Sequence, residues 1–164
     1  EYGNYSSDMT RTIPISGVFS ARQKAVYEAV LRVKKEATKL LVPGTLWKEY
    51  HIEVGKIMTS ELVRIGLLDK ADLQNESVDQ PAYKKYFMHG TSHHMGLDTH
   101  DYGLLHLPME AQMVFTVEPG IYIPKEGFGI RLEDDVVIQE QGEPLNLMAD
   151  IPIEIEAIES NMNP

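Results

Sequence analysis

An α+β domain, with helices covering one face of a curved antiparallel sheet, is the fold class that this sequence predicts. Two observations carry the prediction. Apolar residues recur at three- and four-residue spacing between Ala25 and Val63, whereas runs rich in β-branched and aromatic residues lie in the second half, from Met113 to Ile138. Helices that come first and strands that follow favour segregated layers over the alternating pattern of a parallel sheet. A chain of 164 residues with 43% hydrophobic content is long enough for one domain with its own core.

The first segment, Tyr2 to Ile15, mixes Tyr, Thr and Ile with short polar residues and reads as extended chain. Along a strand, Asp8, Thr10 and Thr12 would share one face and Met9, Arg11 and Ile13 the other. Ser20-Ala21-Arg22-Gln23 has the pattern of a capping box, so a helix follows, with Ala25, Val26, Ala29, Val30, Val33, Ala37, Leu40 and Leu41 as its apolar stripe until Pro43-Gly44. Thr45 is placed to cap a second helix, which buries Tyr50, Val54, Ile57, Met58, Leu62 and Val63 and ends near Gly66. His51 reads as a surface residue of that helix. Residues 69–80 are polar, without sustained period, and form a connection with room for a turn of helix. Strands are expected from Met113 to Glu118, from Ile121 to Ile123 after the Pro119-Gly120 break, and from Gly129 to Ile138, with Arg131, Glu133 and Asp135 on one face. Ile155 and Ile158 mark a short terminal helix.

Fifteen basic against twenty-five acidic residues give a net charge of −10, which argues against sequence-independent binding to nucleic acid or anionic membrane. The absence of cysteine excludes a disulfide scaffold and thiolate metal sites, so any metal must take oxygen and imidazole ligands. No apolar run is long enough to span a bilayer and no secretory signal opens the chain, so a cytoplasmic location is the expectation. A first residue other than methionine reads as a fragment or a processed chain.

Four of the six histidines, His89, His93, His94 and His100, fall within twelve positions of the stretch Met88–Asp101, beside Gly90, Gly96, Asp98 and Asp101. A single histidine is usually a surface or core residue satisfied by one hydrogen bond. Four together, in a chain that also places the acids Asp8, Glu118 and Glu133 on strands, point to metal binding or proton transfer. Glu118 closes an apolar strand, and burying its charge costs free energy unless it is paired or bound to a cation.

Three separated motifs then carry a resemblance. His89-Gly-Thr-Ser-His93-His-Met-Gly-Leu-Asp-Thr-His100-Asp, Thr116-Val-Glu118-Pro-Gly-Ile-Tyr122 and Gly129-Ile-Arg131-Leu-Glu133-Asp-Asp135, together with Asp8 in Ser7-Asp8-Met9-Thr10-Arg11-Thr12, resemble the catalytic domain of Xaa-Pro aminopeptidases (aminopeptidase P) and the related prolidases. These are dinuclear metallopeptidases of family M24 with the pita-bread fold, which methionine aminopeptidases and creatinase share. The resemblance covers nearly the whole chain. It implies that Asp8 and Glu133 bridge two divalent cations, that His93 and Glu118 complete one of them, and that a hydroxide held between the cations attacks the Xaa-Pro peptide bond. It further implies that Glu118 shuttles the proton to the leaving nitrogen, that His89 and His100 hydrogen-bond substrate or tetrahedral intermediate, and that Arg131 orients the carboxylates. Manganese is the metal the family commonly uses, with cobalt or zinc compatible with the same donors. The implied partner is a peptide with proline at its second position. His94 and His106 match no family role.

The family carries a further metal-binding aspartate upstream of the one matched by Asp8, at a position that falls before Glu1. Residues 1–164 are therefore expected to be a partial catalytic domain, the second half of the pita-bread plus the last strand of its first half. At most one cation should be well held, and the chain alone is expected to be inactive even where the parent protein is an aminopeptidase. Three other readings stay open: an Xaa-Pro dipeptidase (prolidase), a non-catalytic pita-bread module that binds peptide or protein, and a structural single-metal site. Retention of all four ligand positions argues against the module. An unpaired strand edge near residues 2–13 and apolar surface meant for the absent half predict a homodimer or larger species.

Overall fold

The computed structural model describes residues 2–77 and 80–163, so the tip of the polar connection at 78–79 lies outside the described residues. Ser20 and Gln23 form the expected capping box, Ser20 Oγ accepting from the Gln23 amide at 3.2 Å and Gln23 Oε1 from the Ser20 amide at 2.8 Å, and helix α1 runs Ala21–Lys39. Its stripe of Val26, Ala29, Val30, Val33 and Ala37 is fully buried. Helix α2, Trp47–Arg64, buries Tyr50, Val54, Met58 and Leu62 against it, while Val63 faces solvent. Thr45 does not cap α2: its hydroxyl donates to the Leu40 carbonyl at the end of α1, and Leu46 stands at the cap with no side-chain bond. Gly66, at φ +74°, turns the chain out of α2 through a conformation that disfavours side chains. A five-residue helix α3, Lys70–Gln74, and a 3₁₀ turn, Ala82–Lys85, complete the helical half.

The second half builds two small antiparallel sheets. Strand β1, Val114–Val117, pairs with β4, Asp134–Val137, which pairs with β5, Leu145–Asn146; β2, Gly120–Ile123, pairs with β3, Phe128–Arg131. The single strand expected from Gly129 to Ile138 is thus divided between sheets. Its break at Leu132-Glu133 lies opposite the break at Glu118-Pro119, with the Leu132 amide on the Pro119 carbonyl at 3.3 Å. Helix α1 packs on β1, β2 and β3, and the joint core holds Phe115, Val117, Ile121, Ile130, Leu132 and Val136. The chain ends in α4, Ile155–Met162, with Ile155 and Ile158 buried. Among the described residues no helix is long and apolar enough to cross a membrane.

The amino-terminal segment departs from the strand expected there. Tyr2 and Tyr5 close a tight turn, and further on the ladder contact among the described residues is the bridge of Thr10 with Glu133. Residues 8–12 are tied on one side to 131–135: the Asp8 amide donates to Asp135 Oδ2 at 3.0 Å and Thr12 Oγ1 to the Arg131 carbonyl at 2.9 Å.

Candidate metal centre

The two strand breaks create the site. At each break an acidic residue sits where ladder pairing stops, and its amide turns to a third segment. The Glu118 amide donates to the Thr91 carbonyl at 2.7 Å, and the Glu133 amide to the Thr10 carbonyl at 3.1 Å. Those two bonds carry the His93 loop and the Asp8 segment to the same point. The loop is further held by His93 to Thr116, amide to Oγ1 at 3.1 Å, and by the buried Tyr50 hydroxyl of α2 against Ser92 Oγ at 2.8 Å.

His93 Nδ1 lies 2.9 Å from the His94 carbonyl, which can only accept, so Nδ1 carries the proton and Nε2 presents a bare lone pair. That nitrogen is buried with no hydrogen-bond partner, 3.6 Å from Glu118 Oε1 and 3.7 Å from Asp8 Oδ2. Ligand atoms of His93, Glu118 and Glu133 lie within 4.8 Å of one another, as do those of Asp8, His93 and His100. The His100 ring, exposed, lies 4.1 Å from that of His93. A lone pair left bare among carboxylates fits a cation better than it fits anything else a folded chain offers. One imidazole and several carboxylates suit Mn²⁺, Co²⁺ or Zn²⁺.

Burial pushes the Glu118 carboxyl up to about 7, helped by the neighbouring charge of Glu133. Asp135 is likewise pushed up to about 6, mainly by burial; its Oδ1 is buried and unpartnered while Oδ2 holds the Asp8 amide. Sequence reading placed Asp135 on the face of Arg131 and Glu133 but gave it no role. Arg131 Nε lies 3.9 Å from Glu133 Oε2 and reaches it through Thr10, donating to Thr10 Oγ1 at 3.1 Å while that hydroxyl donates to Glu133 Oε2. Thr10 was not singled out either, although its alternation with Asp8 was a signal. His89 donates from Nδ1 to the Gly90 carbonyl at 2.7 Å and accepts at Nε2 from the Tyr122 hydroxyl at 2.8 Å, with Nδ1 4.0 Å from Glu118 Oε2. Burial lowers its pKa, which keeps the ring neutral, and Phe87 packs edge-on against it at 4.8 Å. Tyr122 was missed because nothing in a strand tyrosine announces its partner.

The other histidines lie outside the site. His94 lies between Trp47 and Phe115, ring centroids 6.0 and 4.4 Å away, and the Gly103 backbone approaches it so closely that an added Cβ would stand 1.9 Å from the ring. His106 is exposed. His51 is half-buried rather than on the surface, because its ring lies against Trp47 at 4.8 Å and its Nδ1 donates to the Trp47 carbonyl one turn back.

Comparison with known proteins gives a consistent result. The model of metallopeptidase family M24 matches residues 1–140. The Xaa-Pro aminopeptidase of Haemophilus influenzae is 42% identical over 99% of this chain and 40% of its own length. Among solved structures, a zinc-substituted Escherichia coli aminopeptidase P in complex with product is 41% identical with a TM-score of 0.86, over 99% of this chain and 39% of that one. The aminopeptidase PepP of Pseudomonas aeruginosa is 38% identical, also with a TM-score of 0.86, over 97% and 38%. The chain has the fold of these enzymes over its own length, and spans less than half the length of the curated relatives it matches, 40% of the Haemophilus influenzae enzyme and 38% of the Escherichia coli one.

Proposed function

Because the chain belongs to metallopeptidase family M24, we propose that it forms part of an Xaa-Pro aminopeptidase, which removes the first residue of a peptide whose second residue is proline. Residues 1–164 are read as the second half of the pita-bread with the last strand of the first. Asp8, His93, Glu118 and Glu133 would hold the divalent cations, manganese first among the candidates. The observation that carries this reading is the bare His93 Nε2, buried between Glu118 and Asp8. Cations bound there polarise the scissile carbonyl and lower the pKa of water.

The chain's own residues supply the rest. Glu118, whose carboxylate lies 3.6 Å from His93 Nε2, would remove a proton from the attacking water and deliver it to the leaving proline nitrogen. His89, oriented by Tyr122, lies beside Glu118, and exposed His100 lies tilted against His93 at 4.1 Å; both would hydrogen-bond substrate or the tetrahedral intermediate. Arg131 holds Glu133 through Thr10.

The test is hydrolysis by the intact protein, with Mn²⁺, of a Gly-Pro-Xaa tripeptide and of a Gly-Pro dipeptide. Release of glycine from the tripeptide alone is expected; cleavage of the dipeptide alone would replace the aminopeptidase by a prolidase. Glu118→Gln should cut turnover by ~10²–10⁴-fold with the fold retained, as loss of general acid–base help does. Turnover within a few fold of the unchanged enzyme would remove Glu118 from the mechanism.

A further inference from the structure

Behind the candidate metal centre lies a second cluster that the proposed chemistry does not use. In the extended segment 8–12, Asp8 and Thr10 face the site and Arg11 points to the opposite side; across from it Glu133 and Asp135 face the site and Asp134 points away. Arg11 and Asp134 therefore meet on the reverse of the same two segments, with side chains 9% and 2% exposed. The guanidinium is engaged throughout. Nε donates to the Pro152 carbonyl at 2.9 Å, Nη1 to the Thr10 and Glu133 carbonyls at 3.0 and 2.8 Å, and Nη2 to Asp134 Oδ1 at 2.6 Å. Asp134 Oδ2 accepts in turn from Lys34 of α1, itself buried, and from Asn146 Nδ2 of β5 at 2.8 Å.

We propose that Arg11 is a positioning residue whose planar fork fixes the spacing of Asp8 and Glu133, the two carboxylates that come from opposite ends of the chain to share the metal centre. The inference rests on the metal reading of that centre. Buried ion pairs add little net stability compared with apolar packing of the same volume, so stability alone is a weak reason for this one. What a guanidinium offers here is geometry: Nη1 bonds the carbonyls of Thr10 and Glu133, and the same rigid plane fixes it against Asp134 at Nη2 and the Pro152 carbonyl at Nε, an arrangement that a lysine ammonium on a flexible stem does not reproduce. Groups that orient metal ligands from behind typically set metal affinity by roughly 10–100-fold.

The experiment compares the chain with its Arg11→Lys and Arg11→Met variants by Mn²⁺ titration calorimetry, Mn²⁺ electron paramagnetic resonance, and amide hydrogen exchange in the presence of chelator. The expected result is a Mn²⁺ Kd weakened by roughly 10–100-fold in both variants, a broadened Mn²⁺ spectrum, and faster exchange at the Asp8 and Glu133 amides while α1 and α2 keep their protection. Lysine preserves the charge, so affinity restored in Arg11→Lys would overturn the fork in favour of charge alone. Unchanged exchange at Asp8 and Glu133 in Arg11→Lys overturns the proposal outright. If the unchanged chain takes up no Mn²⁺, it is the metal reading that falls, and the exchange comparison in Arg11→Lys still decides whether the clamp exists.

Discussion

Glu118 and Asp135 titrate out of their ordinary range because burial penalises their charged forms, and the sign of the consequence is fixed. A carboxyl whose pKa is raised by folding contributes stability in full below its unfolded value, and that contribution is lost as pH rises through the folded one. For Glu118 the window runs from 4.5 to about 7, and for Asp135 from 3.8 to about 6. Half-buried His51, His89 and His94 have lowered pKa values, so they act in the opposite sense as pH falls below 6.5. The informative quantity is thus a difference. In chelator, Glu118→Gln should gain stability relative to the unchanged chain between pH 5 and pH 8, by several degrees in Tm, and Mn²⁺ should abolish the gain at pH 8. A difference that stays flat across that range would contradict the buried-charge account. Tyr122→Phe removes the hydroxyl that His89 Nε2 accepts from, a hydrogen bond worth ~1 kcal/mol, so turnover of the intact enzyme should fall on the order of tenfold with the fold unchanged. Of the site residues, Asp8, His93, Glu118 and Glu133 were legible as acids and imidazoles in unusual places, with roles supplied by the resemblance. Thr10, Tyr122 and the unpartnered oxygen of Asp135 were not, because their meaning depends on which distant segment each one meets.

At the scale of elements, the helices were readable to within a residue or two, since periodicity and the Ser20–Gln23 box are local signals. The box should be measurable by itself: Ser20→Ala is expected to cost ~1 kcal/mol, a fall of about 2–4 °C in Tm for a chain of this size. An unchanged melting curve would mean that α1 is held by packing alone. The division of residues 129–138 between two sheets was not readable. Pro119 announces the break on one strand, but Leu132-Glu133 has no proline or glycine, and it breaks where it faces Pro119 and where the Glu133 amide turns to Thr10. The loop after the histidines makes a sharper case. Gly103→Ala would drive a methyl into His94, so the variant should lose the stacking of that ring on Trp47 and melt several degrees lower. Tryptophan fluorescence reports the stacking directly, because Trp47 is the chain's single tryptophan. Emission identical to that of the unchanged chain would show that the loop yields instead.

For the molecule as a whole, the amino-terminal segment is tied to 131–135 on one side, and the case for association rests on further residues as well. Tyr2 and Tyr5 lie at 92% and 63% exposure near Leu97 at 63%, and Tyr102, Leu104 and Leu105 are exposed on the loop beyond. Apolar surface of this kind is seldom left in water. The chain should form dimers or larger species at micromolar concentration, more completely as salt screens the net charge of −10, and light scattering reporting a monomer at high salt would refute it. The contact between the two ends of the chain also has a consequence in time. Asp8 meets Asp135 across 127 positions and Thr10 meets Glu133 across 123, so the pocket for a cation exists only after a loop spanning most of the chain has closed. Closure that late leaves a cation nothing to hold while the chain is still crossing its barrier. In stopped-flow measurements Mn²⁺ should therefore leave the refolding rate unchanged and slow unfolding alone, and the ion would act as a latch on the finished molecule rather than a seed for its formation.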